Sequence, residues 1–507
     1  MPNCFGNNQG PSNSCRMFSM PDTDASRSLV VPLAHVSAHP PDVVIVGSGP
    51  AGVAVAEYLF NVFPNVTVAI LERGGILTLT HVGNISSDKD SRGPFIDAYG
   101  DHPWKGYFEK DGMMMFALGG RGIVAGGHLR RFDHDDYTVW PKGQWPIKPL
   151  DLSPFFTVAE LVRHVSTGES QHSPAQTWAM GELDEFNPHP PAWGVDVRST
   201  GTRRELDSSV QRLWELLQRD YLDAHQQRRE RRLFVCTRAM VTKINVTNGQ
   251  VTGLDCLNLR DGQTFQVKGK KIILAASPLE STRLVLGSAL RRFNKSVRAV
   301  AGRYLAEHLL CSAEIPVPFA SLAGGRVSVV VPPSGRQLVE RFQLDVKNAT
   351  FKGGSGGNSM RIFGFAAMDP QRNNRAELGT NGLNTVLKPS KHDNARVEAM
   401  RGKMLQVAEK LGARPRNVKI SGPFRGRSNH EVGTLRMGHD VSESVTDSRG
   451  QVHDVENLFV ADASVFPCVG VANPMLTTTA LAYRLAHHIG LALGHPPKSV
   501  EPWSICG

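Results

Sequence analysis

The sequence predicts an α/β fold in which a parallel sheet wound with helices is interleaved with a second domain of antiparallel strands and helices. Three observations predict it. Asp42–Val46 (DVVIV) is almost wholly apolar, as a strand buried on both faces of a parallel sheet has to be, and it runs through Gly47-Ser48-Gly49-Pro50-Ala51-Gly52 into the helix-compatible VAVAEYLF, which stops near Pro64. A second apolar run, TVAIL, then ends at Glu72. Between Cys311 and Pro370 four strand-forming stretches, EIPVPF, RVSVVV, RFQLDVK and MRIFGFAAM, are separated by SLAGG, PPSGR and KGGSGGNS, the pattern of an antiparallel sheet.

At 507 residues the chain is too long for one small core. Its first forty residues are rich in Asn, Ser, Pro and Gly and hold no continuous apolar stretch. They read as a disordered tail rather than a secretory leader, with Met17 and Met20 as alternative starts. No apolar run approaches the length of a bilayer span, and the last helix-compatible stretch is broken by Arg484, His487 and His488. Seven cysteines, odd in number and without CxxC spacing, predict reduced thiols in a cytoplasmic protein and neither a disulfide framework nor a zinc site. The net charge of +10 gathers partly in Gln226–Phe234 (QQRRERRLF) and at Arg130 and Arg131. No aromatic residues interleave these cations, so they predict a solvated helix end rather than a nucleic-acid interface.

Strand, glycines, helix, second strand and terminal acid follow one another between Asp42 and Glu72, which is the Rossmann-type dinucleotide-binding arrangement. Gly47, Gly49 and Gly52 let backbone N–H groups and the helix N-terminus approach a pyrophosphate, and Glu72, twenty residues past Gly52, is placed for the adenosine ribose hydroxyls. This fingerprint alone does not separate FAD from NAD. Phe116–Trp140 then holds five glycines before turning polar, which permits close approach of backbone to a flat ligand. Met113–Met115 read as core filler in preference to a pocket lining, and His134, Asp135 and Asp136 as solvated side chains in preference to metal ligands.

Residues 153–232 lose the strand rhythm, although Leu206–His225 reads as a helix with Val210, Leu213, Leu216 and Leu217 on one face. Leu233–Ala276 carries Asn-Gly and Asp-Gly turns between alternating runs and reads as a meander. Gly353–Gly357 is either a mobile lid or a hairpin tip. Arg396–Leu411 reads as an amphipathic helix that buries Val397, Met400, Met404, Val407 and Leu411.

The chemistry concentrates in Ser428–Ile489: SNHEVGTLRMG, a polar spacer, then ENLFVADASVFPCVGVANPMLTTTALAYRLAHHI. His430 precedes a Gly-Thr turn, and Asn473, forty-three residues later, precedes Pro474 at the start of a helix. Oxidising an alcohol carbon requires removal of a hydroxyl proton and a hydride, and the hydride needs a cofactor. A histidine suits the proton, since its unperturbed pKa lies near working pH, and an asparagine can hold the same hydroxyl without changing charge. The alternative is structural: His430 as a core histidine, and Asn473 as the N-cap of its helix with Pro474 at N1.

This C-terminal segment resembles the signature of the glucose-methanol-choline (GMC) flavoprotein oxidoreductases. The loop FALGGRGIVAGGHLRRFDHDDYTVW resembles that family's second, glycine-rich signature, and KKIILAAS resembles the strand that returns to its cofactor sheet. The resemblance implies an FAD-binding domain over 41–152, 233–310 and 428–495 and a substrate domain over 153–232 and 311–427, in the architecture shared with p-hydroxybenzoate hydroxylase. It implies His430 and Asn473 as the catalytic pair. It also implies cofactor contacts from Gly47, Gly49, Gly52, Glu72, Gly119, Gly120, Val124, Val241, Ala276, Asp462, Ala463, Asn473, Pro474 and Met475. Pyranose-oxidase-like members bond FAD covalently through a loop histidine, and here Val124 holds that place, so the FAD is expected to be non-covalent. The spacing from Gly119 to Asp133 matches those enzymes, which favours a sugar or glycoside hydroxyl as substrate; the acceptor is left open between oxygen and a redox partner. A hydroxynitrile-lyase-like non-redox enzyme and an inactive flavoprotein scaffold are the competing implications.

Overall fold

The computed structural model describes residues 29–85, 104–110, 113–141, 144–166, 173–196, 205–227, 229–288, 290, 295–316, 327–348, 359–380 and 382–503. Gly353–Gly357 lies outside the described residues. Residues 29–38 are already packed. Helix α1 (Leu33–Ala38) buries Leu33 and Val36, and the Val31 N–H donates to the Val235 carbonyl at 2.9 Å. A tail reaching residue 40 is therefore corrected. The apolar side chains of LVVPLAHV, residues 29–36, are enough to fasten this stretch to the sheet edge.

Strand β1 (Val43–Val46), helix α2 (Pro50–Val62) and strand β2 (Val68–Leu71) form in order, and every residue of the two strands is buried. Helices α3 (Pro149–Val162) and α4 (Ser209–Gln227) follow. Next come strands β3 (Leu233–Cys236), β4 (Ala239–Thr247), β5 (Gln250–Asn258), β6 (Thr264–Val267) and β7 (Lys271–Leu274), then helix α5 (Pro278–Gly287). The second half supplies β8 (His308–Pro316), β9 (Ser328–Val331), β10 (Phe342–Asn348), β11 (Ser359–Ala367), α6 (Lys391–Lys410), β12 (Ile420–Phe424), β13 (Leu458–Val460) and α7 (Met475–Ala492).

The parallel sheet has the order β13-β7-β1-β2-β3, so three distant parts of the sequence build it. The meander expected over Leu233–Ala276 accordingly divides. Its near-continuous apolar ends, β3 and β7, enter the parallel sheet, while the alternating β4, β5 and β6 form a separate antiparallel sheet. Asn248 and Gly249, both with positive φ, make the tight turn from β4 to β5.

Helix α7 packs across α2 and α3, and α4 packs on α2 and β3. Much of 153–232 thus builds out the parallel-sheet half rather than the substrate half. The helix Pro174–Glu182 does reach across: the Gln176 amide exchanges hydrogen bonds with the Ser328 backbone at 2.9 and 2.8 Å. The basic cluster is also less solvated than expected. Buried Asp220 accepts from the Arg232 and Leu233 N–H groups and from Arg229, and the Arg232 guanidinium lies 4.4 Å from the centre of the Phe60 ring.

The second sheet is antiparallel, in the order β9-β10-β11-β8-β12. Strand β8 begins six residues before the expected EIPVPF, at His308. Alternation gives the sheet two faces. Leu344, Gly364 and their neighbours lie under α6, where a Cβ on Gly364 would stand 2.7 Å from Met400 Sδ. His308, Gln343, Asp345 and Phe365 occupy the other face, toward the glycine-rich loops. Helix α6 starts at Ser390, whose hydroxyl accepts from the Asp393 N–H while Asp393 accepts from Ser390 in return. Among the described residues no helix is long and apolar enough to cross a membrane.

Candidate active site

One long cleft runs from the β1–α2 turn, past the glycine-rich loop, to the β12–β13 connection and the start of α7. Gly47, Gly49, Glu72, Gly120, Val124, Val241, Ala276, Asp462, Ala463, His430, Asn473, Pro474 and Met475 all line it. Gly52 and Gly119 do not. A Cβ on Gly52 would stand 2.1 Å from the Gly47 carbonyl oxygen, so this glycine lets α2 close on the turn. Gly119, at φ +92°, is packed against Ile123 and Val210. Ser48, Arg121, His128, Ser428, Asn429 and Glu431 also line the cleft without being singled out by the sequence, and Met113–Met115 line it too, with Met114 and Met115 at the same time buried in the core. Polar residues flanking glycines were the available signal for Ser48 and Arg121. Nothing local marks the others.

The chain's own residues fit a dinucleotide at one end. At Gly47, φ +100° and an Ala275 carbonyl 2.5 Å from where a Cβ would sit admit only glycine, and above Gly49 a Cβ would meet nothing within 4 Å. Helix α2 points its N-terminus at this space. Glu72 accepts from the Ser48 N–H at 3.1 Å, the Ser48 hydroxyl at 2.6 Å and the Gly74 N–H at 2.7 Å, and the Gly119 N–H donates to the Ser48 oxygen at 3.1 Å. Burial pushes the Glu72 carboxyl above its usual range, against the pull of these donors. Glu72→Ala is expected to weaken FAD retention by about 1–3 kcal/mol, the loss typical of a charged hydrogen bond. FAD titration of the apoprotein measures it, and an unchanged affinity places the ribose contact elsewhere.

At the other end Asn473 Nδ2 donates to His430 Nε2 at 3.2 Å, and Gln343 Nε2 donates to Asn473 Oδ1 at 3.5 Å. Asn473 is therefore not the helix cap; Pro474 occupies that position. Burial first, then His308, Arg121 and His128, hold the His430 imidazole well below its ordinary pKa, so the ring is neutral. The loop carrying it is fastened from two sides. Buried Glu307 accepts from the Gly426 N–H at 3.0 Å and the Ser428 hydroxyl at 2.6 Å, and Arg121 grips Glu431 through two bonds at 3.0 and 2.7 Å. His128 packs at a tilt against Trp193, ring centres 4.6 Å apart, and faces Asp345 at 3.8 Å, while Arg130 donates to Gln343 at 3.2 Å. Asp136, expected in solvent, is fully buried: it caps the short helix His134–Thr138 with Asp133 and pairs with Arg341.

A parallel dinucleotide-binding sheet, a second antiparallel sheet and a neutral histidine beside an asparagine in the shared cleft are the parts of a dinucleotide-dependent oxidoreductase. Residues 383–482 match the family model described as GMC oxidoreductase. The chain is 25% identical to 6'''-hydroxyparomomycin C oxidase of Streptomyces lividus, over 88% of this chain and 91% of that one. It is likewise 25% identical to C-glycoside 3-oxidase of Arthrobacter globiformis, over 88% and 94%. The crystal structure of pyridoxine 4-oxidase from Mesorbium loti superposes with a TM-score of 0.62 at 18% identity, covering 88% of this chain and 99% of that one, which shows the shared fold. The chain thus resembles the GMC oxidoreductases through residues 383–482 and named oxidases over most of its length, which supports an FAD-dependent oxidoreductase acting on CH–OH donors.

Proposed function

We propose that this enzyme oxidises a hydroxyl of a sugar or glycoside, with His430 as acid/base and Asn473 as the group that holds the reacting oxygen. The observation that carries the reading is the pair itself: a half-buried, neutral imidazole whose Nε2 faces an amide donor at 3.2 Å on the wall of the cleft. Bound FAD supplies the hydride acceptor that no side chain provides. His430 Nε2 takes the hydroxyl proton as the carbon is oxidised, and the Asn473 Nδ2–H donates to the same oxygen. Beside them His128 lines the cleft, and Asp345, Gln343 and Arg130 stand behind it in one polar network, His128 facing Asp345 and Gln343 bonded to both Asp345 and Arg130, which suits a site for further hydroxyls of a polyol ring. The similarity to C-glycoside 3-oxidase and 6'''-hydroxyparomomycin C oxidase supports that class of substrate.

The cofactor contacts in this reading are the backbone at Gly47, Gly49, Gly120, Val241 and Ala276, the Glu72 carboxylate, and the Asp462–Ala463 and Pro474–Met475 segments. Val124 offers no nucleophile, so the flavin is held without a covalent bond, in a cytoplasmic enzyme whose electrons pass on to oxygen or a redox partner. Anaerobic addition of a panel of sugars, glycosides and simple alcohols tests the function. Bleaching of the flavin by a sugar or glycoside is the expected result, and an enzyme whose flavin stays oxidised throughout is not a hydroxyl oxidase. Acid precipitation of the same protein is expected to release the FAD into the supernatant; yellow pellets would show a covalent link.

A further inference from the structure

We propose that His308 is a positioning residue that fixes the proton of His430 on Nδ1 and so leaves Nε2 free to act as the base. The inference rests on the role given to His430 above. Its structural origin is a single antiparallel pair between chain segments far apart in sequence. The Val432 N–H donates to the Ala306 carbonyl at 2.9 Å, and the Ala306 N–H donates to the Val432 carbonyl at 3.2 Å. Antiparallel register then sets the residue two beyond Ala306 opposite the residue two before Val432, which places His308 against His430.

The two Nδ1 atoms lie 2.7 Å apart, with the ring planes at 84°. Two lone pairs cannot share that distance, so one proton stands between them. Which ring owns it is decided at the far side of His308, where Nε2 faces the Gly470 carbonyl at 2.5 Å. A carbonyl only accepts, so His308 Nε2 carries a hydrogen. A neutral imidazole has one N–H, which makes His308 Nδ1 the acceptor and His430 Nδ1 the donor. His430 Nε2 is then a lone pair, as its contact with the Asn473 Nδ2–H requires. The Asn473 amide is in turn oriented by Gln343, which donates to Oδ1. Every hydrogen bond from Asn473 to the Gly470 carbonyl thus points the same way. Burial keeps both rings neutral, with His308 pushed down to about 4 against the opposing pull of the Gly470 carbonyl.

Without His308 the unpaired Nδ1–H of His430 has no buried acceptor, and the ring is free to move its hydrogen to Nε2, where it blocks proton removal. Nitrogen-15 spectra of the histidine-labelled holoenzyme, with His430 assigned by its absence from the His430→Ala variant, are expected to show the Nδ1–H tautomer. A wild-type Nε2–H tautomer overturns the proposal whatever the variants do. His308→Leu is expected to shift His430 toward Nε2–H and to slow anaerobic flavin reduction roughly 10- to 100-fold, the loss typical of a partner that orients another residue. His308→Asn, whose Oδ1 stands where the imidazole Nδ1 was, is expected to restore the tautomer and most of the rate. Equal loss in both variants with the Nδ1–H tautomer retained makes His308 a packing residue and overturns the proposal. Failure of the acid/base reading is distinguishable, because it appears as wild-type flavin reduction in His430→Ala itself.

Discussion

His430→Ala lowers the rate of anaerobic flavin reduction by about 10² to 10⁴, the contribution of a positioned acid/base, while FAD content stays at the wild-type level. The separation follows from the layout of the cleft. His430 stands on the β12–β13 connection, whereas the glycines and Glu72 that fit the dinucleotide stand on the β1–α2 turn and at the end of β2. Asn473→Ala loses less, since Gln343 remains within reach of the same space. The pH dependence has a definite sign. The base form exists above the pKa of His430, and burial together with His308, Arg121 and His128 lowers that pKa. Glu431 offsets little of this, because Arg121 holds it through two bonds. The reduction rate is therefore flat through neutral pH and falls only well below the ordinary histidine range, near 6.5. Stopped-flow reduction with an active substrate measures both effects. Near wild-type reduction by a fully loaded His430→Ala enzyme removes His430 from the chemistry.

The parts of this molecule that were legible in the sequence are those whose physics is local. DVVIV, the glycines after it and the terminal Glu72 each state a constraint within a few residues: burial on both faces, backbone close to backbone, an acid at a strand end. His430 and Asn473 were legible because their whole segment carries a family resemblance, not because either residue alone is unusual. His308 was not, since its position arises from the Ala306–Val432 pairing across 126 residues of chain and from a strand that starts earlier than its apolar pattern suggests. Asp136 was misread for a similar reason. His134, Asp135 and Asp136 look alike in a polar run, and only Arg341, 205 residues away, makes one of them a buried carboxylate. Leu29–Val36 was hidden by the composition of the residues before it.

Arg341→Met is expected to destabilise the FAD-loaded enzyme by about 3–5 kcal/mol, the cost of stripping the partner from a buried charge. Arg341 and Asp136 are both essentially inaccessible to solvent, and the guanidinium also reaches Asp133 at 2.7 Å. Without it, the Asp136 carboxylate keeps only the Val471 and Asp133 N–H groups, each at 3.2 Å. Burial already pushes the Asp136 carboxyl upward, and loss of Arg341 removes the main opposing pull. A carboxyl whose folded pKa is raised is stabilised where it is protonated, so the deficit of the variant shrinks as pH falls and grows as pH rises through that pKa. Urea unfolding at mildly acidic and mildly alkaline pH, in excess FAD, measures the difference. Arg341→Met combined with Asp136→Asn is expected to recover most of the stability, because neither half then buries a charge. A single variant as stable as wild type at alkaline pH would show that the pair carries no such strain. The same contact bears on catalysis: Gln343 lies two residues past Arg341, Asn473 lies two residues past Val471, and the Gly470 carbonyl that faces His308 belongs to the peptide whose N–H Asp136 accepts. Loosening the Arg341–Asp136 pair is therefore expected to slow flavin reduction even in the fraction of molecules that remains folded.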